Sequence, residues 1–189
     1  MSVVAPITHE QAPLLARPFY GDGDPGPITA TMAHVPELLE VALPFIGAVL
    51  SPSSIAFRTK EIVILRTSSV MACRYCIDSH TPVALDAGLT AGQVRALRGE
   101  VGHDVVTAFS DQRERTLIAW ADEVAQGKGA ASDETTAAMV AAFASHEIVE
   151  LTLLATVTLL LNRYASTLRL PVAGATIERL AADGFERAA

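Results

Sequence analysis

Residues 61–80 read Glu-Ile-Val-Ile-Leu-Arg-Thr-Ser-Ser-Val-Met-Ala-Cys-Arg-Tyr-Cys-Ile-Asp-Ser-His. This stretch holds two helical patterns and the junction between them. Ile55, Ile62, Val63, Leu65 and Val70 mostly keep helical spacing, which predicts a helix over 55–70. The seryl run at 51–54 breaks the preceding pattern and offers an N-cap for it. Beyond the Met71-Ala72 junction a second helix is predicted over 74–87, ended by Gly88. Positions 73, 76 and 80 advance by three and then four residues, so Cys73, Cys76 and His80 share one helix face. Cys73 falls at the helix start, where unpaired N–H groups favour thiolate over thiol.

Working outward, 17–28 is dense in Gly, Pro and Asp and reads as a loop. Residues 31–50 read as helical, with Pro44 expected to kink or divide them near Leu43. Thr90 and Gln93 can form a capping box for a helix over 91–98, and Asp111 with Glu114 a second for 112–126, which Gly127 ends. Helices are predicted over 133–144 after Ser132, over 146–168 after a Ser145 cap, and over 173–183. Trp120 falls on the apolar side of its helix, and His34, before Pro36, reads as a cap or packing residue. Strand alternation is absent beyond short apolar runs, so the predicted class is all-α. A single domain is expected, with 1–28 as N-terminal extension and loop, 31–170 as core and 171–189 as a C-terminal helix.

Composition agrees. Of 189 residues half are apolar and only 5% aromatic, a helix-former's balance in a chain long enough to bury a core. The net charge of −7 comes from acidic and basic residues mixed along the chain, without the basic footprint of a nucleic-acid or anionic-membrane partner. The N-terminus lacks a basic region followed by an apolar one, so no signal peptide is expected. The apolar stretches 38–50 and 148–161 fall short of the roughly 20 residues that cross a bilayer and read as buried helices. Both are apolar around most of their circumference, which predicts that some of this surface meets another subunit in a homo-oligomer. Two close cysteines in a chain expected to be cytoplasmic point to redox or metal chemistry rather than a structural disulfide.

A free cysteine, with a pKa near 8.5, is only a few per cent thiolate at neutral pH and needs activation. His80, one turn beyond Cys76, is placed to accept a proton, and Glu61, one helix earlier, could orient His80. A sulfenic acid or mixed disulfide on one cysteine can be resolved by the other. Two other readings stay open. The cysteines could be small buried core residues, or Cys73, Cys76, His80 and Glu61 could be four zinc ligands, although three from one helix is unusual for structural zinc. Glu61, amid Ile62, Val63 and Ile64, is expected to be partly buried and so to need a partner.

Glu61 to Leu65 also echoes Glu147 to Leu151, and each opens a long apolar helix. As a degenerate duplication the offset would set Leu159 at the place of Cys73, Asn162 at Cys76 and Ser166 at His80. The alternative is that two buried helices drew on the same residue types.

The pattern Glu61, Cys73, Cys76, His80, with eleven, two and three residues between, resembles the active-site pattern of the carboxymuconolactone decarboxylase superfamily, and within it the alkylhydroperoxidase D (AhpD)-like branch. The likeness extends through 58–63, 79–81 and 84–89, returns at 146–150 and 162–165, and takes in most of 31–170. It implies an all-α AhpD-like fold with an internal two-fold repeat, assembled into homo-oligomers. It also implies reduction of hydroperoxides or disulfides at the expense of a thiol carrier or other external dithiol, with no bound cofactor and no metal. By the same likeness Cys76 is the attacking thiolate and Cys73 the resolving thiol. Tyr75 stands where the peroxidase pattern often has a second His, and a phenol of pKa near 10 shuttles protons less readily. The roles of Asn162, Arg163 and Tyr164 stay open. Rival functions are the lactone or decarboxylation chemistry that names the superfamily, which needs no dithiol, and a non-catalytic scaffold that senses redox state.

Overall fold

A computed structural model describes residues 2–21, 23–127 and 129–188. Asp22, within the expected 17–28 loop, and Met1, Lys128 and Ala189 lie outside the described residues. Among the described residues there are ten α-helices and no strand. They are α1 (Pro27–Met32), α2 (Pro36–Leu50), α3 (Phe57–Val70), α4 (Arg74–Asp86), α5 (Ala91–Arg98), α6 (Val105–Ala108), α7 (Gln112–Gln126), α8 (Asp133–Ala142), α9 (Ser145–Leu168) and α10 (Gly174–Ala182).

The centre is α3. Its Lys60–Leu65 run is buried all round, and it packs against α4, α5, α7 and α9. A helix without a polar face is stable only when enclosed in this way. Ile62, Leu65, Leu97, Leu117, Leu151 and Leu154 meet there in one core. Trp120 packs on its margin and donates Nε1–H to Thr152 Oγ1 at 3.2 Å.

Several predicted boundaries move for identifiable reasons. The 31–50 stretch divides at 33–35 rather than near Leu43, because Pro36 takes a first-turn position of α2, where its missing N–H costs nothing. Pro44 lies inside the unbroken α2 and is exposed, as is Glu40 four residues earlier, so the carbonyl left without a donor faces water. The expected 17–28 loop contains a 3-10 turn at Arg17–Phe19 and the start of α1. The serines at 51–54 do not cap α3. Ser53 Oγ instead accepts from Ile55 N, and Ala56 occupies the cap position. The Asp111 cap is present, but Glu114 turns away to pair with Arg58 at 3.0 Å. Ser145 is not the cap of α9; Glu147 accepts the Ala144 N–H from inside the first turn. The short α6, capped by Asp104, was not signalled by any apolar period. The Thr90–Gln93 capping box forms as expected.

The expectation that the second apolar stretch is too short to span a bilayer also changes. Helix α9 has 24 residues and is long and apolar enough by length and composition to cross a membrane. Leu151, Leu154, Ala155, Val157 and Leu161 are buried on it, and the helix packs against α2, α3, α4 and α7. His34, exposed, is hydrogen-bonded through Nε2 to the Ala5 carbonyl at 2.8 Å and so ties the N-terminal segment to the α1–α2 corner.

Candidate active site

The site is set by how α3 hands over to α4. Helix α3 ends at Val70, and Ala72 takes the left-handed conformation, φ 50°, which an L residue with a side chain adopts at a cost. That turn leaves Cys73 extended (φ −83°, ψ 91°) as the N-cap of α4, with its sulfur accepting from Cys76 N at 3.4 Å. Cys76 therefore sits one turn above Cys73, and the two sulfurs lie 2.9 Å apart, both free. Both cysteines are buried, Cys73 completely and Cys76 to 5% exposure, in a small apolar cluster with Ala165 and Leu170. Tyr75 and Tyr164 border this cluster.

We place the proton shared by the sulfurs on Cys76, because Cys73 Sγ also accepts a backbone N–H while Cys76 Sγ does not. The Cys76 thiol, ahead of the cost of burial, then holds Cys73 down at about 6, with the side chains of Ser166 and Asn162 and the Cys76 amide adding to the effect. Cys76 moves the other way, held protonated by its hydrogen bond to Cys73, by burial and by the neighbouring charge. Asn162 and Ser68 partly offset that rise. Burial and the nearby sulfur charge push Tyr75 up to about 12, so its phenol keeps its proton.

Glu61 is 1% exposed, within the buried face of α3. Its carboxylate accepts from His80 Nδ1 at 3.0 and 3.3 Å. A carboxylate only accepts, so Nδ1 carries the hydrogen, and Nε2 is the ring nitrogen left to take a proton. His80 is part-exposed, its side chain 28% accessible. The structure thus brings Cys73 to Cys76 and Glu61 to His80. Among the described residues no hydrogen bond joins His80 to either sulfur; the link between the pairs is the single helical turn from Cys76 to His80. Among the described residues no group of three or more His, Cys, Asp or Glu side chains is arranged to hold a metal ion.

Sequence reasoning did not find the donors on the far side of the sulfurs. Ser68 on α3 and Asn162 on α9 are both buried, joined by Asn162 Nδ2–H to Ser68 Oγ at 3.0 Å. For Asn162 the signals were the echo that aligned it with Cys76 and the family likeness at 162–165, which left its role open; Ser68 had none. That echo does not become equivalent geometry, because α9 runs unbroken through Leu159, Asn162 and Ser166, whereas the chain breaks at 71–73 before α4. Tyr164 donates to Thr31 Oγ1 at 3.1 Å and also lines an apolar groove of about 360 Å³ with Met32, Val35, Leu38 and Val41. Arg163 is exposed.

Residues 36–123 match the sequence model of the carboxymuconolactone decarboxylase family. No curated protein matches the chain. Among solved structures, a peroxidase-related protein from Ralstonia eutropha with an alkylhydroperoxidase AhpD core is 16% identical, with a TM-score of 0.74 over 92% of this chain and 96% of that one. A candidate antioxidant-defence protein AhpD from Agrobacterium tumefaciens is 24% identical, with a TM-score of 0.68 over 76% of this chain and 95% of that one. The debrominase Bmp8, a variant of which is known in complex with 2,3,4-tribromopyrrole, is 18% identical, with a TM-score of 0.71 over 96% of this chain and 97% of that one. Residues 36–123 are therefore similar to the carboxymuconolactone decarboxylase family, and the chain carries the AhpD-like helical fold.

Proposed function

We propose that the protein is a thiol-dependent oxidoreductase that reduces hydroperoxides or disulfides through the Cys73–Cys76 pair. The observation that carries this reading is two free sulfurs 2.9 Å apart at a helix N-cap, one of them held as thiolate near neutral pH. Neither the decarboxylation reading nor a buried-core reading needs that arrangement.

In the reduced pair the charge rests on Cys73 and the proton on Cys76. As a hydroperoxide ROOH arrives, the Cys76 proton passes to Cys73, and the Cys76 thiolate attacks the distal oxygen. The O–O bond breaks, the alkoxide leaves and takes up a proton as ROH, and Cys76 becomes a sulfenic acid. Cys73 sulfur then attacks Cys76 sulfur; the S–O bond breaks, water departs and the disulfide forms. The pair has lost two electrons and its single thiol proton, a second proton has come from water, and ROOH has become ROH and water. An external dithiol reverses the disulfide by exchange. Cys76 is the attacking cysteine in this scheme because its residue retains some exposure, 5% against none for Cys73, and lies one turn from His80. With Glu61 holding Nδ1–H, His80 Nε2 is free to take a proton from water and hand it to the leaving group.

The test is thiol titration before and after one equivalent of hydroperoxide, followed by peroxide consumption with dithiol present. Catalytic loss of both thiols and sustained turnover are expected; a single stoichiometric oxidation without turnover would favour a redox-sensing scaffold. Bmp8 is named as a debrominase, and two-electron delivery from a dithiol could also drive a reductive debromination, so a bromopyrrole belongs in the substrate panel.

We also propose a homo-oligomer. The outward side of α2 exposes Leu38, Val41 and Phe45, and that of α9 exposes Val149, Leu153 and Leu160. Sedimentation of a stable monomer at micromolar concentration would refute it.

A further inference from the structure

Asn162 is 1% exposed on α9, and its amide is only half used. Nδ2 donates to Ser68 Oγ at 3.0 Å, while Oδ1 has no partner. A buried acceptor without a donor is unfavourable, and an apolar side chain of similar volume would avoid it. The amide's orientation explains what it gains. Its donor edge faces Ser68, whose carbonyl accepts from Cys73 N at 3.0 Å, and Ala165, one turn along α9, clusters with both cysteines; from beside the dithiol the amide favours charge on either sulfur. Turned over, it would set Oδ1 against a thiolate.

The two sulfurs are also provided for differently. Cys73 Sγ accepts from the Cys76 amide and is reached by the Ser166 side chain, whereas Cys76 Sγ has only side chains, those of Asn162 and Ser68. The backbone cap favours charge on Cys73, yet attack by Cys76 requires charge on the other sulfur. We propose that Asn162 and Ser68 form a neutral donor cradle that receives the negative charge when it passes from Cys73 to Cys76, which makes Asn162 a positioning residue of the dithiol. Because α9 supplies the amide, the second half of the chain contributes chemistry to the cysteines of the first.

The inference rests on the dithiol reading for its purpose, and its test does not depend on turnover. In a Cys73→Ser background, where Cys76 is the only cysteine, the pH midpoint of Cys76 is read from 240 nm absorbance and from the rate of iodoacetamide alkylation. Asn162→Leu keeps the volume and removes the donors, and Asn162→Asp replaces donors with acceptors. Each should cut the thiolate fraction of Cys76 at pH 7 by about ten-fold or more, with Asn162→Asp the larger effect. Ser68→Ala, a smaller change, should move the midpoint in the same direction and carries the test should either Asn162 variant fail to fold. Unchanged midpoints in the folded variants overturn the cradle, since a packing role would not shift a titration. A parent protein that titrates as expected but reduces no substrate sinks the proposed function alone.

Discussion

Removing the Cys76 thiol should return Cys73 to the titration range of an ordinary cysteine. With Cys73 at about 6, the thiolate-to-thiol ratio at pH 7 is about 10:1, or roughly 90% thiolate. At an ordinary 8.5 the fraction is about 3%, so the loss is about 30-fold. The backbone N–H at 3.4 Å survives in Cys76→Ala and lowers the value, while burial raises it; these two effects oppose one another and leave the missing S–H as the main change. Cys76→Ser keeps a hydroxyl donor and should fall between. The measurement is 240 nm absorbance against pH, cross-checked by alkylation rate, in reduced parent, Cys76→Ala and Cys76→Ser. A Cys73 midpoint that stays near 6 in Cys76→Ala would refute the assignment of the charge to a hydrogen bond between the thiols. The sign carries to stability. The folded value lies below the unfolded one, so this group stabilises the reduced protein above about 8.5, and the contribution is lost as pH falls through about 6. Denaturant midpoints of the reduced parent should therefore decline across that window more than those of Cys73→Ala.

Peroxide should trap differently in the two serine variants: with dimedone present, Cys73→Ser is expected to collect a sulfenic adduct on Cys76, and Cys76→Ser little adduct. The reverse pattern would make Cys73 the attacking thiol. His80→Ala and Glu61→Gln should each lower peroxide turnover by about 100-fold while leaving far-ultraviolet circular dichroism unchanged. Equal turnover in all three proteins removes the pair from the mechanism. Lys60 is fully buried and donates to the carbonyls of Val49 at 3.0 Å and Ser51 at 2.6 Å, with Glu150 at 2.8 Å. Lys60→Met leaves those acceptors at the end of α2 unpaired and should cost about 1–3 kcal/mol, read as a fall in Tm of roughly 2–4 °C per kcal/mol; an unchanged Tm would contradict it.

What could be read from the sequence was mostly local. The α3–α4 junction showed itself because an apolar period ends at Val70 and resumes after Cys73, and the cysteine and histidine spacing is a statement about one helix. The Glu61–His80 bond crosses only 19 residues and joins adjacent helices. Pro36 was a readable helix start that the apolar run around it concealed, whereas Pro44 misled because its tolerance depends on facing water. Glu150 gave no hint that it reaches back to Lys60, and the donors around Cys76 were hidden for the same reason. Asn162 and Ser68 stand 94 residues apart, and only the packing of α9 across α3 brings them together. The 24-residue α9 shows the limit of reading apolar runs by length, since its burial depends on neighbours that no local pattern reveals.

The central claim is that Cys73 and Cys76 act as one two-electron centre, and the mass of the intact chain tests it most directly. Reduced protein is treated with one equivalent of an organic hydroperoxide, analysed without reductant, then digested and mapped. The account predicts a chain lighter by two hydrogens, with a single peptide cross-linked between Cys73 and Cys76 and restored by a small dithiol. A chain that stays unmodified at a rate no faster than a free thiol, or that gains oxygen on one cysteine while the other remains free, would contradict it.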